Sequence, residues 1–329
     1  MPRSTLFTAP TALLLLAACT GGDAAPAAEG TTAVGSDRIN PLVTLHEGAD
    51  AQFGLYAPSA GGGQTRDGEP RPVVPAEERA AQMLGYPNSD YVFDGSMEGG
   101  VEENLDAFVA FRDAMHAGGA TARTHPFVVK MAKIESAEQA TREVAMQLAT
   151  GVSGVMFVEV ESAEEVRWAL DAMRWTSDGG TRPESSVGTA PEYWGVSEAE
   201  YRERADLWPL DPGGELVSWV IVESREGLAN VREIAAVPGI GVLWPGAGTL
   251  RRVFSTVSDD GTRVLDEEAW EGAIQQVLAA CKEFDVACGY PANASDIEVR
   301  MEQGFSVFVM GWGDAGFATV ELGRELAGR

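Results

Sequence analysis

Glu223 is a carboxylate that directly follows an apolar run, residues 219–222, typical of a buried strand. An amphipathic segment over residues 227–236 follows it, and Pro238-Gly239 ends that segment before a second apolar run. The order strand, helix, strand indicates a parallel unit. Because α/β barrels carry their catalytic groups where parallel strands end, we predict Glu223 as a site residue.

Two further acidic positions follow strand-like runs. Asp94 ends the second run, with Glu98 shortly after it, and Glu159 lies at the end of the fourth. Alternation along a strand puts Glu159 on the same face as Phe157, and we expect that face to point inward together with the face of Glu223. Three oxygen donors meeting at one barrel mouth would suit Mg²⁺ or Mn²⁺.

Alternating strands and helices organise most of the chain and predict a parallel sheet. Eight strand-helix units over this length indicate an α/β fold, a closed (β/α)₈ barrel. The alternative is an open doubly wound sheet, but no glycine-rich phosphate loop follows the first strand. The strand-like runs are 52–57, 91–94, 127–131, 154–160, two within 219–246, 286–290 and 306–311. The helical patterns are 102–117, 137–150, 163–174, 227–236, 267–284, 295–303 and 318–326.

The composition is strongly acidic, with a formal net charge of −26. Such a surface repels nucleic acid and anionic lipid headgroups, so we expect neither as a partner. A phosphate-rich ligand such as coenzyme A is disfavoured for the same reason.

The first residues have the features of a targeting signal. Arg3 precedes a short apolar stretch, Leu6 to Leu16, and Leu16-Ala17-Ala18-Cys19 is similar to a bacterial lipobox. We predict a signal peptide over residues 1–18, lipidation of Cys19, a flexible tether over 19–38 and one domain over 39–329. The chain would then be an exported lipoprotein that contacts a cell-envelope membrane, on its periplasmic side, only through the lipid. The alternative is an ordinary signal peptide that contains a cysteine.

Two cysteines lie in the predicted domain, Cys281 on a helix and Cys288 on the next strand. An oxidising compartment would permit a disulfide. We nevertheless predict two buried thiols, because a helix packed on a sheet rarely brings such positions within reach. Their spacing matches no metal site.

Taken in order, several segments resemble the HpcH/HpaI aldolase and citrate lyase family, from about Asn40 to Arg329. The resemblance implies a single-domain (β/α)₈ TIM barrel of the phosphoenolpyruvate/pyruvate type. It also implies a carbon–carbon lyase that acts on a small 2-keto or hydroxy acid through a metal-stabilised enolate. The matching segments are Asn40-Pro41, Gln52-Phe-Gly-Leu-Tyr56, residues 151–158 and 161–165, Val222-Glu-Ser-Arg-Glu-Gly-Leu-Ala-Asn230, Ala236-Val-Pro-Gly-Ile240 and residues 304–309.

The family's site residues carry over only in part. Glu223 matches the metal-binding glutamate, whereas the metal-binding aspartate falls on Gly248. The family's arginine after the third strand becomes Lys130, and its histidine falls on Glu98 or Gly99. We predict Lys130 as a catalytic point charge and Glu98 as a base if burial raises its pKa toward neutrality.

The remaining predictions name the residues that would bind the metal and the substrate. Glu223 and Glu159 would hold a divalent metal (Mg²⁺, Mn²⁺ or Co²⁺), and Asp94, Gly246 and Ala247 would contact the substrate. The partner is then a small-molecule keto acid.

A second functional interpretation stays open. The barrel could be catalytically degenerate and act as an exported ligand-binding or scaffold lipoprotein. We also expect a homo-oligomer, because family members pack their last helix on a neighbour and residues 318–326 carry an apolar stripe. The alternative is that this helix caps its own barrel.

Overall fold

A closed barrel of parallel strands forms the centre of the structure, a computed structural model that describes residues 37–64 and 67–329. The strands are β1 (Gln52–Tyr56), β2 (Val92–Asp94), β3 (Phe127–Lys130), β4 (Gly154–Phe157), β5 (Leu207–Trp208), β6 (Leu216–Val222), β7 (Val242–Pro245), β8 (Ser255–Val257), β9 (Arg263–Leu265), β10 (Ala287–Pro291) and β11 (Val307–Met310). The sheet order is β4-β3-β2-β1-β11-β10-β7-β6, and pairing of β4 with β6 closes it. The predicted (β/α)₈ barrel is therefore confirmed.

Helices surround the barrel and connect its strands. They are α1 (Pro41–Glu47), α2 (Ala76–Leu84), α3 (Val101–Ala117), α4 (Ala137–Leu148), α5 (Ala163–Met173), α6 (Ala190–Trp194), α7 (Glu198–Arg204), α8 (Arg225–Ala229), α9 (Val231–Ala235), α10 (Ala247–Val253), α11 (Glu267–Phe284), α12 (Ile297–Gln303) and α13 (Asp314–Leu326). The helix predicted over 227–236 is divided at Asn230, whose side-chain amide donates to the Glu161 carbonyl at 2.8 Å. Short β5 extends the sheet beside β6, and β8 and β9 form a separate antiparallel pair.

The predicted signal peptide, Cys19 and nearly all of the predicted tether lie outside the described residues. Residues 37–329 group as one compact unit. Across 37–64 and 67–329, no helix has both the length and the apolar content needed to cross a bilayer.

Alternation along the strands separates two apolar layers. On β6, Trp219 and Ile221 point into the barrel, whereas Val220 and Val222 pack outward against helices. Large rings fill the interior, and Trp219 stacks on Trp244 with ring centroids 5.3 Å apart. The interior residues are Leu42, Val43, Tyr91, Phe93, Val128, Met156, Val158, Val217, Trp219, Ile221, Val242, Trp244, Val307 and Val309.

Glycines in two strands make room for these rings. A Cβ on Gly54 would lie 2.1 Å from the Tyr91 ring, and one on Gly289 would lie 1.7 Å from the Trp244 ring. The two glycines therefore allow the interior to be packed with aromatic side chains from neighbouring strands.

A buried carboxylate fixes α1 across the amino-terminal end of the barrel. Glu215 is fully buried and accepts backbone N–H bonds from Ile39 at 3.1 Å and Asn40 at 2.9 Å. Arg204 donates to the same carboxylate at 2.6 Å. Asn40 caps α1 by accepting from the Leu42 amide.

Replacing Glu215 by glutamine should destabilise the protein by about 3 kcal/mol or more, because it leaves the Arg204 guanidinium without its buried partner. Urea unfolding followed by circular dichroism measures this. The control is Glu203→Gln, an exposed acid on α7, which should stay within about 0.5 kcal/mol of wild type. Equal stability of the two variants would contradict the prediction.

The prediction of two buried thiols is wrong, because Cys281 and Cys288 form a disulfide with their Cα atoms 5.7 Å apart. The cause is the short connection between α11 and β10. Asp285, just after α11, adopts a left-handed conformation with φ 54°, so the chain reverses at once. This brings the second residue of β10 beneath the last turn of the helix, within ordinary disulfide range.

Candidate functional site

A cavity of about 180 Å³ opens at the carboxyl ends of the barrel strands. Tyr56 ends β1, Lys130 ends β3 and Glu223 follows β6. The cavity is lined by Tyr56, Phe93, Lys130, Met156, Ile221, Glu223, Trp244, Gly246, Ala247, Gly248, Thr249, Pro291 and Val309. The structure thus brings together the predicted residues Glu223, Lys130, Gly246 and Ala247.

Glu223 lies at the wall of this cavity and is only 6% exposed. One of its oxygens, Oε1, accepts the Glu159 backbone N–H at 3.1 Å. Burial raises the pKa of the Glu223 carboxyl above its ordinary value, while the Thr249 hydroxyl, the Lys130 charge and the Glu159 amide act in the opposite direction. A carboxyl group held in this way can exchange a proton with a bound substrate.

Gly246 allows the Glu223 carboxylate to occupy this position. A Cβ on Gly246 would lie 2.5 Å from Glu223 Oε2 and 2.3 Å from its Cβ. Only a residue without a side chain therefore fits at position 246, beside the Glu223 carboxylate.

Gly246→Ala should therefore displace Glu223 and lower kcat/KM by about 10- to 100-fold, because a shift of about 1 Å in a reacting group has effects of this size. Steady-state kinetics of the lyase reaction proposed below measure it. The matched control is Gly248→Ala, where an added Cβ meets nothing within 4 Å, and its loss should be smaller than tenfold. Equal losses in kcat/KM in the two variants would contradict a specific role of Gly246 in placing Glu223.

Lys130 supplies the positive charge of the cavity. Its side chain is 15% exposed, and its Nζ donates to Glu98 Oε2 at 3.1 Å. The Gln147 amide donates to the Lys130 carbonyl at 3.0 Å and so holds the end of β3. No arginine or second lysine lines this cavity among the described residues.

Asp94 and Glu98 line a second cavity of about 440 Å³ that shares Tyr56 and Phe93 with the first. Asp94 is buried and accepts the Ser96 backbone N–H at 2.8 Å. The two cavities are neighbours, and the predicted substrate residue Asp94 borders the larger one.

A buried arginine compensates the charge of Asp94. Arg79 lies 3.6 Å from the Asp94 carboxylate, donates to the Pro58 carbonyl at 2.7 Å and packs over the Phe111 ring. The guanidinium thereby balances a carboxylate that would otherwise be buried alone.

Glu159 does not join Glu223 as expected. Phe157 and Val155 face the outer layer, not the barrel interior, so the expectation that this face points inward is wrong. Glu159 itself has φ 50°, which breaks the strand alternation. Its side chain is exposed and its charge acts on Lys133, while only its amide reaches Glu223.

These residues do not fit the divalent metal that the family implies. Among the described residues, Glu223 is the sole carboxylate lining the 180 Å³ cavity, and Gly248, where the resemblance predicts the family's second carboxylate, has no side chain. Within 37–64 and 67–329, no group of three or more His, Cys, Asp or Glu side chains could hold a metal ion. Mg²⁺ and Mn²⁺ prefer several oxygen ligands, and here a single carboxylate faces one ammonium group.

Three residues of the site were missed from the sequence. Tyr56 lies next to the end of the first predicted strand, 52–57, and Thr249 follows Gly248, so their positions near the ends of strands β1 and β7 could have indicated both. Arg79 gave no such signal, because it lies in the acidic segment Ala76-Glu-Glu-Arg-Ala80, which reads as an exposed helix.

Comparison with known proteins gives consistent matches. The profile of the HpcH/HpaI aldolase/citrate lyase family matches residues 78–310, more than half of the chain. The chain is 26% identical over 238 residues to a 2-dehydro-3,6-dideoxy-6-sulfogluconate aldolase of Pseudomonas putida, covering 71% of this chain and 82% of that protein. It is also 26% identical over 159 residues to a hydroxypyruvate/pyruvate aldolase of Paraburkholderia phytofirmans, covering 48% and 57% of the two chains.

Solved structures agree with the fold. An HpcH/HpaI aldolase/citrate lyase family protein from Burkholderia cenocepacia superimposes with a TM-score of 0.63 at 20% identity, covering 87% of this chain and 98% of that one. An HpcH/HpaI aldolase from Desulfitobacterium hafniense gives a TM-score of 0.59 at 15% identity, covering 87% and 95%.

Proposed function

The chain belongs to the HpcH/HpaI aldolase/citrate lyase family, and from this premise we propose that it is a carbon–carbon lyase acting on a small 2-keto or hydroxy acid. The observation that carries the proposal is the buried Glu223, which faces a small cavity beside the Lys130 ammonium at the catalytic end of the barrel. The curated relatives named as aldolases support the same reaction class.

The size and lining of the cavity favour a small acid. Phe93, Met156 and Trp244 give it apolar walls, and Lys130 offers one charge to a carboxylate. The volume of about 180 Å³ has room for a pyruvyl group but not for a bulky nucleotide cofactor.

The cleavage needs two proton transfers. When the bond between C3 and C4 breaks, a base takes the C4 hydroxyl proton, and the electron pair left on C3 forms an enolate. Glu98, whose side chain is 45% exposed and so lacks the burial considered from the sequence, lines the larger cavity and would take the hydroxyl proton. Glu223, on the side of the smaller cavity, is placed to give a proton to C3. The products are an aldehyde and a 2-keto acid.

The test is pyruvate release from a panel of 4-hydroxy-2-oxo acids by the purified protein, coupled to lactate dehydrogenase. Reactions are run with chelator and with added Mg²⁺, Mn²⁺ or Co²⁺, because metal dependence is part of the family's expectation. We expect pyruvate release from at least one substrate. Saturable binding of these acids without any turnover would instead favour the ligand-binding lipoprotein.

Export and lipidation are part of the proposal and rest on the lipobox-like Leu16-Ala17-Ala18-Cys19. Expression in a bacterial host with fatty-acid labelling tests it, since Cys19→Ala should abolish labelling and release the protein from the membrane fraction.

Oligomerisation through α13 is likewise a proposal. Val320 on this helix is buried in the chain's own core, and Leu326 is 41% exposed, so one end of the apolar stripe is available to a second copy. Light scattering after size exclusion measures the assembly, and a monomer would favour a helix that only caps its own barrel.

A further inference from the structure

We propose that Lys130 performs at this site the task that a metal ion performs in the family: its ammonium group holds the keto acid and stabilises the enolate, so that cleavage needs no divalent metal. This inference rests on the proposed lyase function and adds the identity of the group that carries the positive charge.

The cavity offers a metal ion few ligands. A metal at the cavity would have Glu223 as its one carboxylate ligand. Oε1 of that carboxylate already accepts the Glu159 amide, and the Thr249 hydroxyl bonds to the same side chain. Gly248 offers no side chain, and an added Cβ there would meet nothing within 4 Å. The other side-chain oxygens that line the cavity, the Thr249 hydroxyl and the Tyr56 phenol, are uncharged and cannot replace the charge of an aspartate ligand.

In the part of the chain that the structure describes, the cavity contains one positive charge, the Lys130 ammonium group. Lys130 is largely buried and its charge influences groups on both sides of the cavity. It lowers the pKa of the Glu223 carboxyl and that of the Tyr56 phenol, in each case against a larger effect of burial. An ammonium group that acts on both groups also acts on an anion bound between them, and such an effect is strong where water is excluded.

Lys130 and its partner Glu98 link the two cavities. Lys130 lines the smaller cavity and its partner Glu98, 3.1 Å away, lines the larger one. A 4-hydroxy-2-oxo acid with its keto-acid end in the smaller cavity would place its C4 hydroxyl toward Glu98. The ammonium group would then lie beside the keto oxygen and the base beside the hydroxyl, on the two sides of the bond that breaks.

The step balances with these groups alone. Glu98 takes the proton of the C4 hydroxyl, the C4 oxygen forms the aldehyde carbonyl, and the C3–C4 bond breaks. Its electron pair becomes the C2–C3 double bond, and the negative charge falls on the C2 oxygen beside the Lys130 ammonium. Protonation of C3 by Glu223 gives the keto acid. Solvent then takes the extra proton from Glu98 and returns one to Glu223. Lys130 keeps its three protons and forms no covalent bond.

The test uses the full protein freed of metal with chelator and checked by elemental analysis. We expect the metal-free protein to cleave its substrate within about twofold of the metal-supplemented rate. Lys130→Met should lose about 10²–10³-fold in kcat/KM, the loss typical of removing one group that stabilises an oxyanion. Lys130→Arg keeps the charge and should retain more activity than Lys130→Met. Lys133→Met is the matched control, because Lys133 pairs with Glu161 and does not line the cavity.

A second readout is pyruvate binding to the metal-free protein, followed by tryptophan fluorescence because Trp244 lines the cavity. Lys130→Met should weaken this binding and Lys133→Met should not. Borohydride reduction in the presence of pyruvate should leave Lys130 unmodified, and a reduced adduct on Lys130 would overturn the non-covalent role. Cleavage that occurs only with added metal would overturn the inference and leave the lyase function standing. Absence of cleavage under every condition would reject the proposed function itself.

Discussion

Glu223→Gln is expected to lower kcat/KM for keto-acid cleavage by at least about 100-fold while the protein stays folded. The amide has the shape of the carboxyl group but cannot transfer a proton, and proton transfer by a positioned side chain contributes about 10²–10⁴-fold. Coupled pyruvate release measures the rate. The matched control is Glu226→Gln, an exposed acid in α8 three residues further on, which should keep wild-type activity.

A stability measurement separates this catalytic role from a structural one. Burial raises the folded-state pKa of Glu223, so its favourable contribution to stability is fully present below the unfolded pKa, about 4.3, and is lost as the pH rises. Glutamine does not titrate. The Tm of Glu223→Gln relative to wild type should therefore rise between pH 4 and pH 7. A variant that loses both activity and stability at pH 7 would indicate that Glu223 mainly supports the fold.

Gly248→Asp is expected to convert the site into a metal site. The substitution puts a second carboxylate on the first turn of α10, in the lining of the cavity that Glu223 also lines, where a new Cβ meets nothing within 4 Å. Two carboxylates at one mouth suit Mn²⁺, and each added acidic ligand strengthens binding of a hard cation. We expect tighter Mn²⁺ binding, by about tenfold or more, than in wild type.

Titration of metal-free protein with Mn²⁺, followed by electron paramagnetic resonance of the free ion, measures this difference. Gly248→Asn is the control, because it has the same size without the charge, and its affinity for Mn²⁺ should stay close to that of wild type. Tight and stoichiometric Mn²⁺ binding by the wild-type protein would contradict the account of the donor set given above.

The barrel could be predicted because alternation and segment order are encoded locally. Each of the eight strand-like runs overlaps a barrel strand, and Glu223 faces the cavity as its spacing from Trp219 indicates. Lys130 is the last residue of β3, one residue before the end of the predicted run 127–131, and it lines the same cavity. The direction of a side chain at a strand end can thus be predicted when the regular alternation of the strand continues to that residue.

The two wrong predictions, the direction of Glu159 and the state of the cysteines, each result from one backbone conformation that the residue type does not predict. Glu159 adopts φ 50°, which a glutamate rarely does, so its side chain leaves the face predicted from Phe157. Asp285 adopts φ 54° and brings Cys281 to Cys288. Both residues have a left-handed backbone conformation shortly after an element ends. At such a residue the alternation of the strand or the period of the helix no longer predicts where the next side chain points.

Arg79 was missed for a different reason. Its burial depends on a long-range contact with Asp94 on β2, and the local sequence around it is that of an exposed helix. This contact joins α2 to β2, so it forms only when the helix packs against the barrel.

Exchange of the methyl protons of pyruvate in D₂O, followed by ¹H NMR, tests the central claim most directly, since it requires only enolate formation at the Glu223 and Lys130 pair. With chelator present, wild-type protein should exchange these protons well above the buffer rate, and both Glu223→Gln and Lys130→Met should reduce the exchange to near that of buffer. Exchange at the buffer rate with wild type, or undiminished exchange with either variant, would contradict the account.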